Sequence, residues 1–147
     1  MHQDLYRSYA RSPRGQRVDA DIEDKRFAPR ISVIGAYGQG HLQAPFRFEG
    51  YTNAKVFDIW VERCLLPVLH PGQIIILDNA TFHKSPTTRQ LIDSAGCRLL
   101  FQPAYSPDLN KIEHQWATLK SGIRAQQYSD LSFLQKLDSQ LVKMSDP

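Results

Sequence analysis

The run Ile74-Ile75-Ile76-Leu77 constrains this chain more than any other segment. Four branched aliphatic side chains in succession, three of them β-branched, leave no polar face. A run this short, bounded by turn residues, reads as a central strand covered on both faces. Such a strand needs a layer on each side, which restricts the chain to layered α/β architectures. Gly72 opens the element and Asp78-Asn79 closes it.

The flanking segments supply the layers. Residues 31–37 read as a buried strand, Gly38-Gln39-Gly40 as a turn, and His41 to Phe48 as the partner strand of a hairpin. Thr52 or Asn53 is placed to cap a helix. In that helix Val56, Trp60 and Cys64 form one i, i+4 row and Phe57, Val61 and Leu65 the adjacent one, and Pro67 is expected to end it. Beyond the isoleucine run, a helix over roughly Ser85 to Ala95 closes at Gly96, and Cys97 to Phe101 form a short buried strand. Gln102 to Asn110 is a turn-rich loop. Ile112, Trp116, Leu119 and Ile123 mark an amphipathic helix, with Trp116 on its apolar stripe; a last helix, about Asp130 to Met144, carries Leu131, Leu134, Leu137 and Leu141. This order predicts a mixed α/β sheet with helices on both faces.

The 147 residues suit one domain. Its core is expected over residues 1–128, with a C-terminal helical segment, 129–147, packed on or following it. Residues 1–30 mix basic and acidic side chains and read as a loop or hairpin arm. There Arg14 and Arg17 are either solvated or in contact with a phosphate backbone.

Bulk properties exclude some classes and permit others. No apolar run approaches the roughly 20 residues a membrane span needs, and the N-terminus has no apolar signal region. Cys64 and Cys97 are too far apart for zinc-knuckle spacing and read as buried thiols in a reducing cytoplasm. A net charge of +3 and a pI of about 9.0 permit nucleic-acid binding without demonstrating it.

Two acids carry the chemical signal. Asp78 stands at the carboxyl end of the apolar strand, where ligands bind in open α/β sheets; an Asx turn leaving the strand accounts for it equally well. Glu113 stands at the start of a helix, where a carboxylate complements the helix dipole. The 34 intervening residues hold one helix, one strand and a loop, a plausible path bringing the two side by side. Carboxylates brought together repel, and a hard divalent ion relieves this while keeping positions open for phosphate and water.

The segments Leu77-Asp-Asn-Ala-Thr-Phe-His-Lys84 and Pro103-Ala-Tyr-Ser-Pro-Asp-Leu-Asn-Lys-Ile-Glu-His-Gln-Trp116 resemble the DDE transposases of the mariner superfamily, bacterial insertion-sequence branch. Ser12-Pro-Arg-Gly-Gln-Arg17 and Ala44-Pro45-Phe46 are similar to earlier landmarks of that family. The resemblance implies an RNase H-like fold, hydrolysis at transposon ends and attack of the freed 3′-hydroxyl on target DNA. It implies that Asp78 and Glu113 are the second and third catalytic metal ligands, for two Mg²⁺ (or Mn²⁺) ions in a complete site. Asn79, His83 and Asn110 would support them, although a buried hydrogen-bonded histidine also accounts for His83. Lys120 and Arg124, presented by the helix after Glu113, are either phosphate contacts or a solvated face. Tyr105 is either a core aromatic or faces DNA. DNA, both transposon end and target, is the implied partner, with a dimer when complete and a cytoplasmic, nucleoid-associated location.

The chain departs from the family pattern twice. Lys111 replaces a proline that would pre-set the turn into the helix, leaving Asn110 to cap it. The family's first catalytic aspartate and the strand carrying it fall a few residues before Met1, and Asp4, the one nearby acid, has no preceding apolar strand to place it. The chain alone is therefore expected to be inactive, with an upstream-frame polypeptide or a full-length transposase as a further partner. Two other readings stand beside this one: a non-catalytic remnant that binds DNA or the intact transposase, and a metal-dependent nuclease that cuts without strand transfer.

Overall fold

Strand β1, Ile31–Gly38, pairs antiparallel with β2, His41–Glu49. Gln39 and Gly40 turn the chain between them with φ of +54° and +90°, the two left-handed residues a tight hairpin requires. The hairpin belongs to a computed structural model that describes residues 29–103, 106 and 109–147. The arm with Asp4, Arg14 and Arg17, and Tyr105, lie outside the described residues.

A bulge controls which side chains the hairpin buries. Ile34 faces Phe46 and Ala36 faces Gln43, so β2 advances three residues against two on β1. The extra residue falls at Ala44-Pro45, with Ala44 at φ +48°, and proline is tolerated because the ladder is already broken there. The bulge shifts the alternation by one. Leu42 points to one face of the hairpin, whereas Phe46 and Phe48, also even-numbered, pack on the other.

Each face meets a different helical layer. Helix α1, Ala54–Trp60, begins at Asn53, whose side chain accepts from the Val56 amide at 2.9 Å. The helix continues as a π turn, Val61–Leu65, and a 3₁₀ turn, Leu66–Val68. Pro67 thus lies inside the closing turn rather than after it. Phe57, Trp60, Val61 and Leu65 form a first cluster with Ile34, Ile92 and Cys97. Trp60 Nε1 donates to the bulged Ala44 carbonyl at 2.8 Å. Helices α3, Ile112–Ala125, and α4, Phe133–Ser145, cover the opposite face, where Leu119, Ile123, Leu137 and Leu141 join Ile31 and Leu42 in a second cluster. Gly35 admits this layer: a Cβ there would lie 3.0 Å from Leu42 Cδ1 and 3.4 Å from Trp116. Arg47 on β2 pairs with Asp138 on α4, a hydrogen bond that holds the guanidinium pKa above its usual value.

Strands β3, Ile74–Leu77, and β4, Arg98–Phe101, run parallel, joined through helix α2, Pro86–Ser94. Gly96, at φ +73°, ends α2, and its carbonyl accepts from Gly72 at 2.8 Å. Two expectations need correction. The sheet is divided: β1–β2 and β3–β4 are separate two-stranded sheets among the described residues. Strand β3 is also covered on one face alone. Ile75 and Leu77 pack on the first cluster, whereas Ile74 and Ile76 are 54% and 60% exposed. The second helical layer lies on the hairpin and leaves that face of β3 open. Cys97 is buried and Cys64 half-buried, both as free thiols. No helix among the described residues is long and apolar enough to cross a membrane.

Candidate active site

Asp78 leaves β3 directly into an Asx turn, its Oδ1 accepting from the Ala80 amide at 2.9 Å. The turn carries the chain into a 3₁₀ turn, Thr81–Lys84, which brings His83 back over the same carboxylate. His83 Nδ1 lies 2.7 Å from Asp78 Oδ1. The distance is that of an ion pair, but the approach is off the ring N–H direction, so Nδ1 has no aligned hydrogen-bond acceptor. The imidazole is held by packing. Its centroid is 4.3 Å from both the Phe57 and Phe82 rings, and its side chain is 13% exposed against 49% for Asp78. The turn reading and the site reading of Asp78 are therefore compatible: one oxygen is engaged by the protein, and the carboxylate still faces solvent.

Asn79 points the other way. Its Nδ2 donates to the Gln102 carbonyl at 2.6 Å, and the Gln102 amide donates to Leu77 O at 2.8 Å. These two bonds tie the exit of β3 to the exit of β4, where the loop toward Glu113 begins. Asn79 also borders a groove with Lys84 and Arg89.

Glu113 occupies the first turn of α3 and is exposed. The helix begins differently from the expectation. Lys111 holds the N-cap position with helical dihedrals, φ −59° and ψ −22°, and no side chain caps the helix. Asn110 contributes its backbone carbonyl, which accepts from Glu113 N at 3.1 Å. With the cap one residue later than expected, the Asn110 side chain lies before the position from which caps act.

Asp78, His83, Asn110 and Glu113 all line one cavity of about 600 Å³, together with Lys111 and Trp116. The 34-residue span thus brings the two acids to a common space. Lys120 and Arg124 follow Glu113 at positions seven and eleven residues on, which a helix of 3.6 residues per turn places on the same side; neither borders the cavity. Among the described residues no group of three or more His, Cys, Asp or Glu side chains gathers as a metal site. In donor chemistry the pair fits a hard divalent ion: two carboxylates border one cavity, with no arginine on its border among the described residues.

The sequence did not single out Phe57 and Phe82 as the walls that hold His83. Phe57 was legible as an apolar-row residue, but its contact partner lies 26 residues away. Asp58 was also missed. It accepts from Ser85 Oγ at 2.9 Å and from the fully buried Thr88 Oγ1 at 2.5 Å, fixing α2, and with it the turn carrying His83, against α1. A lone Asp on a helix carries no sequence signal of that kind.

Residues 1–135 match the family model described as DDE superfamily endonuclease. The fold is similar to that in the "Crystal structure of the Mos1 Strand Transfer Complex", with a TM-score of 0.52 and 18% identity. That likeness covers 95% of this chain and 47% of the solved one, so this chain spans about half the length of its structural counterpart. No curated protein matches. At this identity the likeness establishes the fold, which is RNase H-like as expected. The match over residues 1–135, with the two acids at one cavity, places this chain in the DDE superfamily endonuclease family.

Proposed function

We propose that this chain is the catalytic domain of a DNA transposase that cleaves phosphodiester bonds at transposon ends and joins them to target DNA. The observation that carries this reading is Asp78 and Glu113 on one cavity, within a chain of the DDE endonuclease family. Asp78 and Glu113 would hold Mg²⁺ or Mn²⁺, which when bound supplies Lewis-acid stabilisation of the attacking and leaving oxygens of an in-line phosphoryl transfer. The protein's own residues do the positioning. His83, clamped by Phe57 and Phe82, fixes the Asp78 rotamer through its contact with Oδ1. Asn79 anchors the loop that delivers Glu113. Lys111, on the cavity border, and Lys120 and Arg124 along α3 supply positive charge where a phosphate backbone would approach.

Two carboxylates make an incomplete ligand set for a pair of ions, and the described residues add no third. A third acid, from further sequence or from a partner, would complete the set. The test is Mg²⁺- or Mn²⁺-dependent cleavage of the element's own end DNA, by this chain and by one extended upstream. Cleavage by the extended chain alone, abolished in Asp78→Ala and Glu113→Ala, is the expected result. Cleavage by the short chain would assign the third acid within it, Asp4 being the candidate. Cleavage that persists in either alanine variant would remove the assignment of the two acids, and cutting without joining would make the protein a nuclease.

A further inference from the structure

The groove bordered by Asn79, Lys84 and Arg89 is separate from the cavity of Asp78 and Glu113, and no residue lines both. The turn between β3 and α2 divides them. Asp78 and His83 border the cavity, and their chain neighbours Asn79 and Lys84 border the groove. Leu99 and Phe101, alternate residues on one face of β4 and both half-buried, form the floor. Lys84 and Arg89, both exposed, form the rim. Neither cation makes an ion pair among the described residues. Asp93, one turn after Arg89 on α2, is beyond ion-pair distance, and both oxygens of Asp58 are taken by Ser85 and Thr88. The Ser85 hydroxyl adds no free donor, since it donates to Asp58 and accepts from the Thr87 amide. Asn79 Nδ2 is engaged by the Gln102 carbonyl, which leaves Oδ1 as an acceptor. Two like charges at one concavity repel, and an anion between them relieves this.

An apolar floor under a cationic rim matches a nucleotide, whose base rests on carbon while its phosphate meets the cations. The groove holds about 280 Å³, small beside the roughly 300–1,000 Å³ of clefts that enclose a whole small molecule. It suits one unit of a chain that continues past it. On the reading of this protein as one that cleaves DNA, we propose that the groove holds an unpaired nucleotide of the strand passing the acidic cavity. The base lies against Leu99 and Phe101, and the phosphate meets Lys84 and Arg89. A paired base cannot reach the floor, because its faces are stacked and its edge is hydrogen-bonded; an intact duplex offers the groove phosphates alone. Asp78 and Asn79 are consecutive, with Cα atoms about 3.8 Å apart. A strand that reacts at the acids and crosses the turn therefore delivers its adjoining nucleotides to the groove. The groove selects DNA that is open beside the reacting phosphate.

The full chain is titrated in EDTA against a fluorescein-labelled duplex carrying a short gap of unpaired deoxyadenosines, and against the intact duplex. Binding is read by anisotropy at several salt concentrations. The gapped duplex is expected to bind at least threefold more tightly. Replacing both cations, Lys84→Ala with Arg89→Ala, should weaken gapped binding at least tenfold and abolish the preference for the gap. The same change should lower the salt slope by about 1.4, about 0.7 for each cation on a single strand. Both side chains are exposed, so the urea midpoint should stay in place. Phe101→Leu, which keeps the floor apolar and removes the ring, should also reduce the preference for the gap. Lys143→Ala, which removes an exposed cation of α4 outside the groove, should change binding less than twofold. Equal losses on gapped and intact DNA would overturn the proposal, the cations then being plain backbone contacts. So would an equal loss in Lys143→Ala. So would poly-glutamate that binds more tightly than the gapped duplex and is lost in the same double variant, since an acidic protein would then be the occupant. Groove-dependent binding without cleavage would fault the assignment of the two acids, and cleavage without groove-dependent binding would fault the groove.

Discussion

Thr88 illustrates how much one buried hydroxyl carries. It is fully buried on α2, and its Oγ1 donates to Asp58 across to α1. Thr88→Val keeps the shape and removes the donor, leaving an ionised acceptor with the Ser85 hydroxyl alone. A loss of about 1.5–3 kcal/mol is expected in urea denaturation, the range for hydrogen bonds to charged groups. Thr88→Ser should recover part of it, and equal losses in the two variants would show that the methyl group rather than the bond matters. The Arg47–Asp138 pair is the contrasting case. Both partners are more than a third exposed, so a double-mutant cycle should give a coupling of about 1 kcal/mol or less, shrinking as salt is raised.

Among the elements, α4 shows what a cap contributes. Ser132 accepts from the Gln135 amide while the Gln135 side chain accepts from the Ser132 amide, a reciprocal capping box. Ser132→Ala should cost about 1 kcal/mol in thermal or urea unfolding; an unchanged midpoint would mean that packing of Leu137 and Leu141 alone defines the helix start. The same cap marks a limit of sequence reading. A helix from Asp130 was expected on the leucine pattern, yet Leu131 and Leu134 are 43% and 37% exposed and the helix starts at Phe133. Periodicity recorded the stripe but not which leucines reach a partner. The hairpin, the Asn53 cap and the Gly96 terminus were legible because each depends on residues close in sequence. The π turn at Val61–Leu65 and the phase shift at Ala44 were not, since both answer to layers brought together from elsewhere. The candidate site divides in the same way. The Asp78–His83 contact spans five residues and follows from a turn, whereas the convergence of Glu113 depends on the whole arrangement.

For the whole molecule, the two hydrophobic clusters predict two regions of different sensitivity. Ile92 and Leu119 are both fully buried, one in each cluster. Ile92→Ala and Leu119→Ala should each cost about 2–5 kcal/mol in urea denaturation. Hydrogen exchange should separate them: Ile92→Ala raising exchange first in α1 and α2, Leu119→Ala in α3 and α4. Identical exchange patterns would show one indivisible cooperative unit.

The β1–β2 hairpin is the element that contributes to both clusters, Ile34 and Phe46 to the one and Ile31 and Leu42 to the other. Asp78 follows β3, which packs on the first cluster, and Glu113 opens α3, which packs on the second. The hairpin therefore joins the packing behind one carboxylate to the packing behind the other. A change in side-chain volume there, well away from either acid, is expected to be felt at both. Divergence of such a site can begin in that hairpin, with both ligands still in place.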